Sequence, residues 1–112
     1  MNIERLEAAA YRIPTDRPEA DGTLAWDATT IVIVEAVGTA GRRGLGYSYT
    51  AAAAVPLIGE VLEPEAVGRA TNEIPSLTQA MVRRVRNIGL PGLAATAISA
   101  VDIALWDLRA GS

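Results

Sequence analysis

The stretch AISAVDIALWDLRAGS, residues 97–112, decides how this sequence is read. From about Pro91 or Gly92 to Ala110 the chain predicts one helix, with Ala94, Ile98, Val101, Leu105 and Leu108 recurring at three- and four-residue steps. Ala100, Ile103 and Ala104 carry the apolar surface further round the cylinder, and only Asp102, Asp107 and Arg109 are charged. A helix that is apolar nearly all round is buried on several sides. If about four of its large side chains stayed wet, each would forgo about 1.5 to 3 kcal/mol, a sum comparable with the stability of a small domain. That cost predicts a further partner surface against this helix.

Upstream, three segments have strand character. Ile3 to Ile13 alternates imperfectly, which puts Ile3, Tyr11 and Ile13 on one face and Leu6, Ala8 and Ala10 on the other. TTIVIVEAV (29–37) is apolar on both faces, as a central strand is. GTAGRRG (38–44) is a glycine-rich turn, and LGYSYT (45–50) alternates again, grouping Leu45, Tyr47 and Tyr49. The last two strands predict an antiparallel hairpin. Between the first two lies PTDRPEADGTLAWDA (14–28), read as a structureless connection. A connection of that length marks a lid, a binding loop or disorder, and Trp26 favours a use, since so large a ring is seldom left in water.

After Thr50 the period lengthens. AAAAVPLIGEVLEPEAVG (51–68) predicts a short helix ending before Pro64, with a further turn beyond it. In IPSLTQAMVRRVRNIG (74–89), Leu77, Met81, Val85 and Ile88 form a stripe opposite Arg83, Arg84 and Arg86, with Pro75 near the start and Gly89 as the C-terminal cap. Met81 is read as core. The fold class is α+β: a three-stranded antiparallel sheet followed by a bundle of about three helices.

Composition excludes most chemistry. The chain has no Cys and no His, and its ten cationic side chains are all Arg, which cannot lose a proton near neutral pH. No His or Lys base, Schiff-base lysine or thiolate is available, so acid–base work would rest on Asp, Glu or Tyr. A net charge of −3 and a pI near 4.9 offer nothing to a phosphate backbone, so no nucleic-acid partner is expected. Without a signal sequence or a run of about 20 apolar residues, no membrane partner and a cytoplasmic location are expected. GRRGLG joins two strands and has no Lys-Ser/Thr sequel, which disqualifies it as a phosphate loop. Asp102 and Asp107 stand about 140° apart on a helix and form no shared pair, so both are read as bonding partners outside the helix. No catalytic, cofactor-binding or metal-ligating set is expected within the chain.

With these elements in order, AISAVDIALWDLRA resembles the first signature of the mandelate racemase and muconate-lactonizing group of the enolase superfamily. The resemblance extends to YRIPTDRPEADGTLAWDATTIVIVE (11–35), GLGYSYT (44–50) and MVRRVRNIGLPGLAATAISAVDIALWDLRA (81–110). It implies the N-terminal capping domain of such an enzyme over residues 1–110, without the C-terminal (β/α) barrel, and it leaves Gly111 and Ser112 as a tail of the kind a cloning junction leaves. It implies that the missing barrel binds magnesium and removes a proton α to a carboxylate, giving a metal-stabilised enediolate. The chain by itself then has no cofactor and no activity. Its partners are its own barrel, a small carboxylate substrate and, as a homo-oligomer, further copies of itself.

Two lids follow by position, Pro14 to Ala28 and Tyr47 to Ala54. Asp21, Thr23, Trp26, Tyr47 and Tyr49 are the candidate substrate-lid residues, each with a structural alternative. Asp16, Arg17, Glu19, Asp21 and Thr23 in the first lid favour a dehydratase of hydroxy or sugar acids, with a racemase, epimerase or cycloisomerase open. The rival reading is a self-sufficient α+β interaction or dimerisation module that uses the last helix.

Overall fold

The computed structural model describes residues 1–20 and 25–111. Strands β1 (Ile3–Ala20), β2 (Ala25–Gly38) and β3 (Arg43–Tyr49) form one antiparallel sheet in the order β1-β2-β3. Helices α1 (Ala54–Leu57), α2 (Glu63–Ala66), α3 (Ile74–Arg84) and α4 (Leu93–Ala110) follow. Helices α1, α2 and α4 pack on one face of the sheet, called the inner face below, and α3 packs against α2 and α4. The shortest dimension, 19 Å, is that of two layers at the usual spacing of about 10 Å. No helix among the described residues is long and apolar enough to cross a membrane.

β1 departs from the expected alternation at its start. Ile3 pairs with Gly38, but Arg5 pairs with Val37, so Glu4 is an extra residue in β1. This bulge turns Ile3 to the side of Leu6, and both are buried, whereas Tyr11 and Ile13 stay on the opposite, exposed face. The separation of Ile3 from Leu6 read from the alternation is therefore corrected.

The connection read as structureless over 14–28 is also corrected, because the two strands run on as a ribbon. Pro14 pairs with Ala28 and, after an irregularity in β1, Glu19 pairs with Trp26 and Ala20 with Ala25. Proline is tolerated because β1 is an edge strand. The Leu6 amide turns away from β2 to donate to Glu63 Oε2 at 2.8 Å. By alternation, the nitrogen of Pro14 also faces the open edge, where a missing donor breaks no ladder bond.

The helix expected to end before Pro64 instead passes through it. A wide π turn, Ile58–Leu62, links α1 to α2, and the Glu63 amide donates five residues back to the Ile58 carbonyl. This turn absorbs the proline, which enters the first turn of α2. Ala54, Ile58, Leu62 and Ala66 all face the core. In α3, Leu77 and Met81 are buried as expected, and so is Val85, which caps it. Ile88 is 63 % exposed, because α3 ends at Arg84 and a last turn, closed by the Gly89 amide on the Val85 carbonyl, swings it outward.

The last helix is more completely covered than its composition suggests. Ala94, Ile98, Val101, Leu105 and Leu108 are buried, as are Ala97, Ala100 and Ala104. β3 covers that alanine side directly, because Gly44 and Gly46 face it without side chains. A Cβ on Gly44 would run into the backbone of Ala104 and Leu108, and one on Gly46 into that of Ala100 and Ala104, all within 3.0 Å. Only Leu93, Ile103 and Trp106 remain partly open among the large apolar residues of α4, with the Arg109 guanidinium 5.3 Å above the Trp106 ring.

Gly46→Ala is expected to lower stability by about 1 to 3 kcal/mol through overpacking. Gly59→Ala, where a new Cβ meets nothing within 4 Å, is expected to be neutral or to stabilise by up to about 1 kcal/mol. Urea midpoints of the two variants separate these outcomes.

Candidate functional site

Three elements converge at one end of the molecule. Tyr49, the last residue of β3, pairs with Ile31, which pairs on its other side with Tyr11, so beyond that level the β1–β2 ribbon projects alone. The Thr50 amide donates to the Thr30 carbonyl at 3.1 Å. Its hydroxyl lies 2.8 Å from that of Thr96, which in turn donates to the Leu93 carbonyl at 2.8 Å, tying this corner to the first turn of α4. Exposed Ala51, Ala52 and Ala53 lead from there into α1. The end therefore has two lips, the projecting ribbon and the segment after β3, above a hydroxyl-pinned base.

The candidate residues distribute unevenly over it. Asp21 and Thr23 lie outside the described residues, between β1 and β2 in sequence. Trp26 is placed by its backbone, in the ribbon opposite Glu19, and its ring lies outside what is described. Tyr47 and Tyr49 stand together on the outer face of the sheet, ring centroids 6.1 Å apart in an edge-to-face arrangement. Tyr49 adjoins the second lip, and Tyr47 sits one same-face position further down β3.

Neither acidic residue of α4 is placed for chemistry. Asp102 accepts a hydrogen bond from the Thr78 hydroxyl at 2.6 Å and so ties α4 to α3. Asp107 accepts from the Leu45 amide at 2.7 Å, occupying the donor that β3 would otherwise show at its free edge. Among the described residues no three acidic side chains converge to hold a metal ion.

One charge cluster among the described residues lies on the outer face of the sheet, away from the lips. Arg43 bridges Glu7 at 2.8 Å and Glu35 at 2.9 Å across all three strands, and Arg5 meets Glu7 at 2.7 Å. Arg43 stands six residues along β3 from Tyr49, about 20 Å at strand rise. Hydrogen bonds from Arg43, then Arg5, hold the Glu7 carboxyl below the usual carboxylate range.

The tyrosine pair was legible as alternation. The Gly44/Gly46 contact was missed; Asp107 was read as bonding outside its helix, and it does, but its partner was not named. For the glycines a signal existed, since two glycines two apart on a strand share a face and invite another backbone to approach. For Asp107 none did, because its partner is a main-chain amide 62 residues away in sequence.

Asp107→Ala is expected to cost about 1 kcal/mol and to speed hydrogen exchange at the Leu45 amide selectively. Because the folded Glu7 pKa is depressed, its contribution is present above the unfolded value and is lost as pH falls through the folded one. Between about pH 5 and 3 the urea midpoint of Glu7→Gln should therefore fall less steeply than that of the unaltered chain.

Comparison with known proteins identifies this arrangement. The model of the mandelate racemase / muconate lactonizing enzyme N-terminal domain matches residues 9–112. The 3,6-anhydro-α-L-galactonate cycloisomerase of Streptomyces coelicolor is 37 % identical over 96 % of this chain and 31 % of its own length. The crystal structure of a mandelate racemase/muconate lactonizing enzyme-like protein from Rubrobacter xylanophilus superposes with a TM-score of 0.93 at 48 % identity, over 99 % of this chain and 31 % of that one. A racemase from Streptomyces coelicolor with bound magnesium gives a TM-score of 0.89 at 36 % identity, over 96 % and 31 % of the two chains. The chain thus spans about a third of the length of these relatives.

Proposed function

This chain belongs to the mandelate racemase and muconate lactonizing enzyme family through its N-terminal domain, and on that premise we propose that it is the lid of an acid-sugar or hydroxy-acid enzyme. The observation that carries the proposal is the convergence of the ribbon and the post-β3 segment at one end, where no metal-binding acidic group converges among the described residues. Such an end can close over a ligand and choose it. The proton α to a carboxylate is then removed elsewhere, by a base on a barrel of the kind these longer relatives leave room for. Magnesium, where bound there, would supply electrostatic stabilisation of the developing negative charge.

Within the lid, Asp21 and Thr23 supply hydrogen-bonding groups suited to substrate hydroxyls, and Trp26 a ring to pack over the carbon chain. Tyr49 is assigned to the second lip because it adjoins Thr50, and Tyr47 belongs with it only if the bound ligand reaches further along β3. The sugar-acid name of the 37 %-identical relative supports the substrate class. Dehydration is the outcome assigned first, on the polar residues of the first lid; racemisation and cycloisomerisation start from the same proton removal.

Proton NMR in deuterium oxide tests this reading. The 112-residue chain with magnesium should exchange no α-proton in a panel of hydroxy and sugar acids, and the full-length protein encoded by its gene should do so in a chelator-sensitive way. In that protein Trp26→Ala should lower kcat/KM tenfold or more, about 1.4 kcal/mol, without moving Tm. Exchange catalysed by the 112-residue chain alone would overturn the proposal.

A further inference from the structure

Tyr11, Ile13, Leu45, Tyr47 and Tyr49 lie together on the outer face of the sheet, each between 47 and 60 % exposed. Three half-exposed tyrosines leave about 300 Å² uncovered, and with Ile13 and Leu45 the patch reaches the upper part of the 300 to 600 Å² range of a typical monomer's largest patch. A standard interface needs about 800 Å² from each side, which this patch and its charged rim can supply. Among the described residues the charged rim is Arg5, Glu7, Glu35 and Arg43, two positive and two negative groups already joined by ion pairs. A face so neutralised can lie against an identical face without like-charge repulsion.

Shape adds a register. A depression of about 160 Å³ opens on this face around Ala9, walled by Glu7, Tyr11, Ile33 and Glu35. Ala9 pairs with Ile33, and Ile33 pairs with Tyr47, so hollow and ring stand at one level on opposite edge strands. A two-fold axis running along β2 between stacked faces carries β3 of one copy over β1 of the other. Each hollow then meets a ring, twice, as an isologous contact requires. Ile103 and Trp106, the open stripe of α4, point away from this face and leave the helix side free for another contact.

We propose that two copies of this chain pair through the outer faces of their sheets, the Tyr47 ring of each seated over Ala9 of the other. This replaces the last helix as the surface of self-association, because β3 has covered most of that helix.

Sedimentation velocity on the 112-residue chain at about 100 μM should give twice the 11.7 kDa chain mass. Ala9→Arg and Tyr47→Asp should each weaken the dimer at least tenfold and keep the native circular dichroism, whereas Trp106→Asp should leave it intact. The chain has no cysteine of its own. A mixture of Ala9→Cys and Tyr47→Cys chains should therefore form a covalent dimer with a short bismaleimide, and either variant alone should not. A chain that stays monomeric, a dimer that survives both face variants or is lost in Trp106→Asp, or cross-linking by Ala9→Cys alone would overturn the proposal.

Discussion

Gly44 and Gly46 bring β3 into contact with the backbone of α4, and the rest of the structure is built around that approach. With no Cβ between them, the strand and the helix sit closer than any pair of side chains would permit, and Ala100 and Ala104 fill the seam. The closeness puts Asp107 within reach of the Leu45 amide and Thr96 within reach of Thr50. One contact between small residues thus fastens α4 to β3 at both ends. It also explains how so apolar a helix is buried in a chain of this size: one flank is covered by backbone, which contributes area without volume.

The fastening separates a fixed frame from a projecting part. Everything below the level of Tyr49 is tied by three strands and four helices. Above it only the two-stranded ribbon continues, and isolated two-stranded ribbons are marginal in water. Substrate choice is the use proposed for that part, which two strands carry where the frame has three. The outer face has the opposite character, being carried by all three strands and bordered by paired charges, which suits a second copy of itself.

Periodicity was a good guide wherever one rule held over a whole element. The apolar stripe of α4, the two-faced apolarity of β2 and the alternation of β3 all carried through to the structure. It failed where one residue changed the count. Glu4 adds a residue to β1 and turns Ile3 to the core; the π turn over Ile58–Leu62 takes the chain past Pro64; and a final turn carries Ile88 off the stripe that Leu77 and Met81 share. In each case the local pattern is compatible with two continuations, and burial against another element selects one. The ribbon over 14–28 was unreadable for a related reason, because proline argues against a strand only when its amide position faces a partner, and here it faces an open edge.

By itself the sequence determined the fold class, the order of the elements and their kinship, and it ruled out a histidine, lysine or thiol in any chemistry of these 112 residues, because those depend on residue identity and spacing along the chain. The candidate lid residues were named from the same source. Only the tertiary structure decided which surfaces are open. An apolar residue reads alike whether a strand backbone, a helix or water lies over it, and that choice is made by residues distant in sequence. Composition assigned the bare surface to the last helix; two glycines in β3 covered most of that helix and left the outer face of the sheet bare instead.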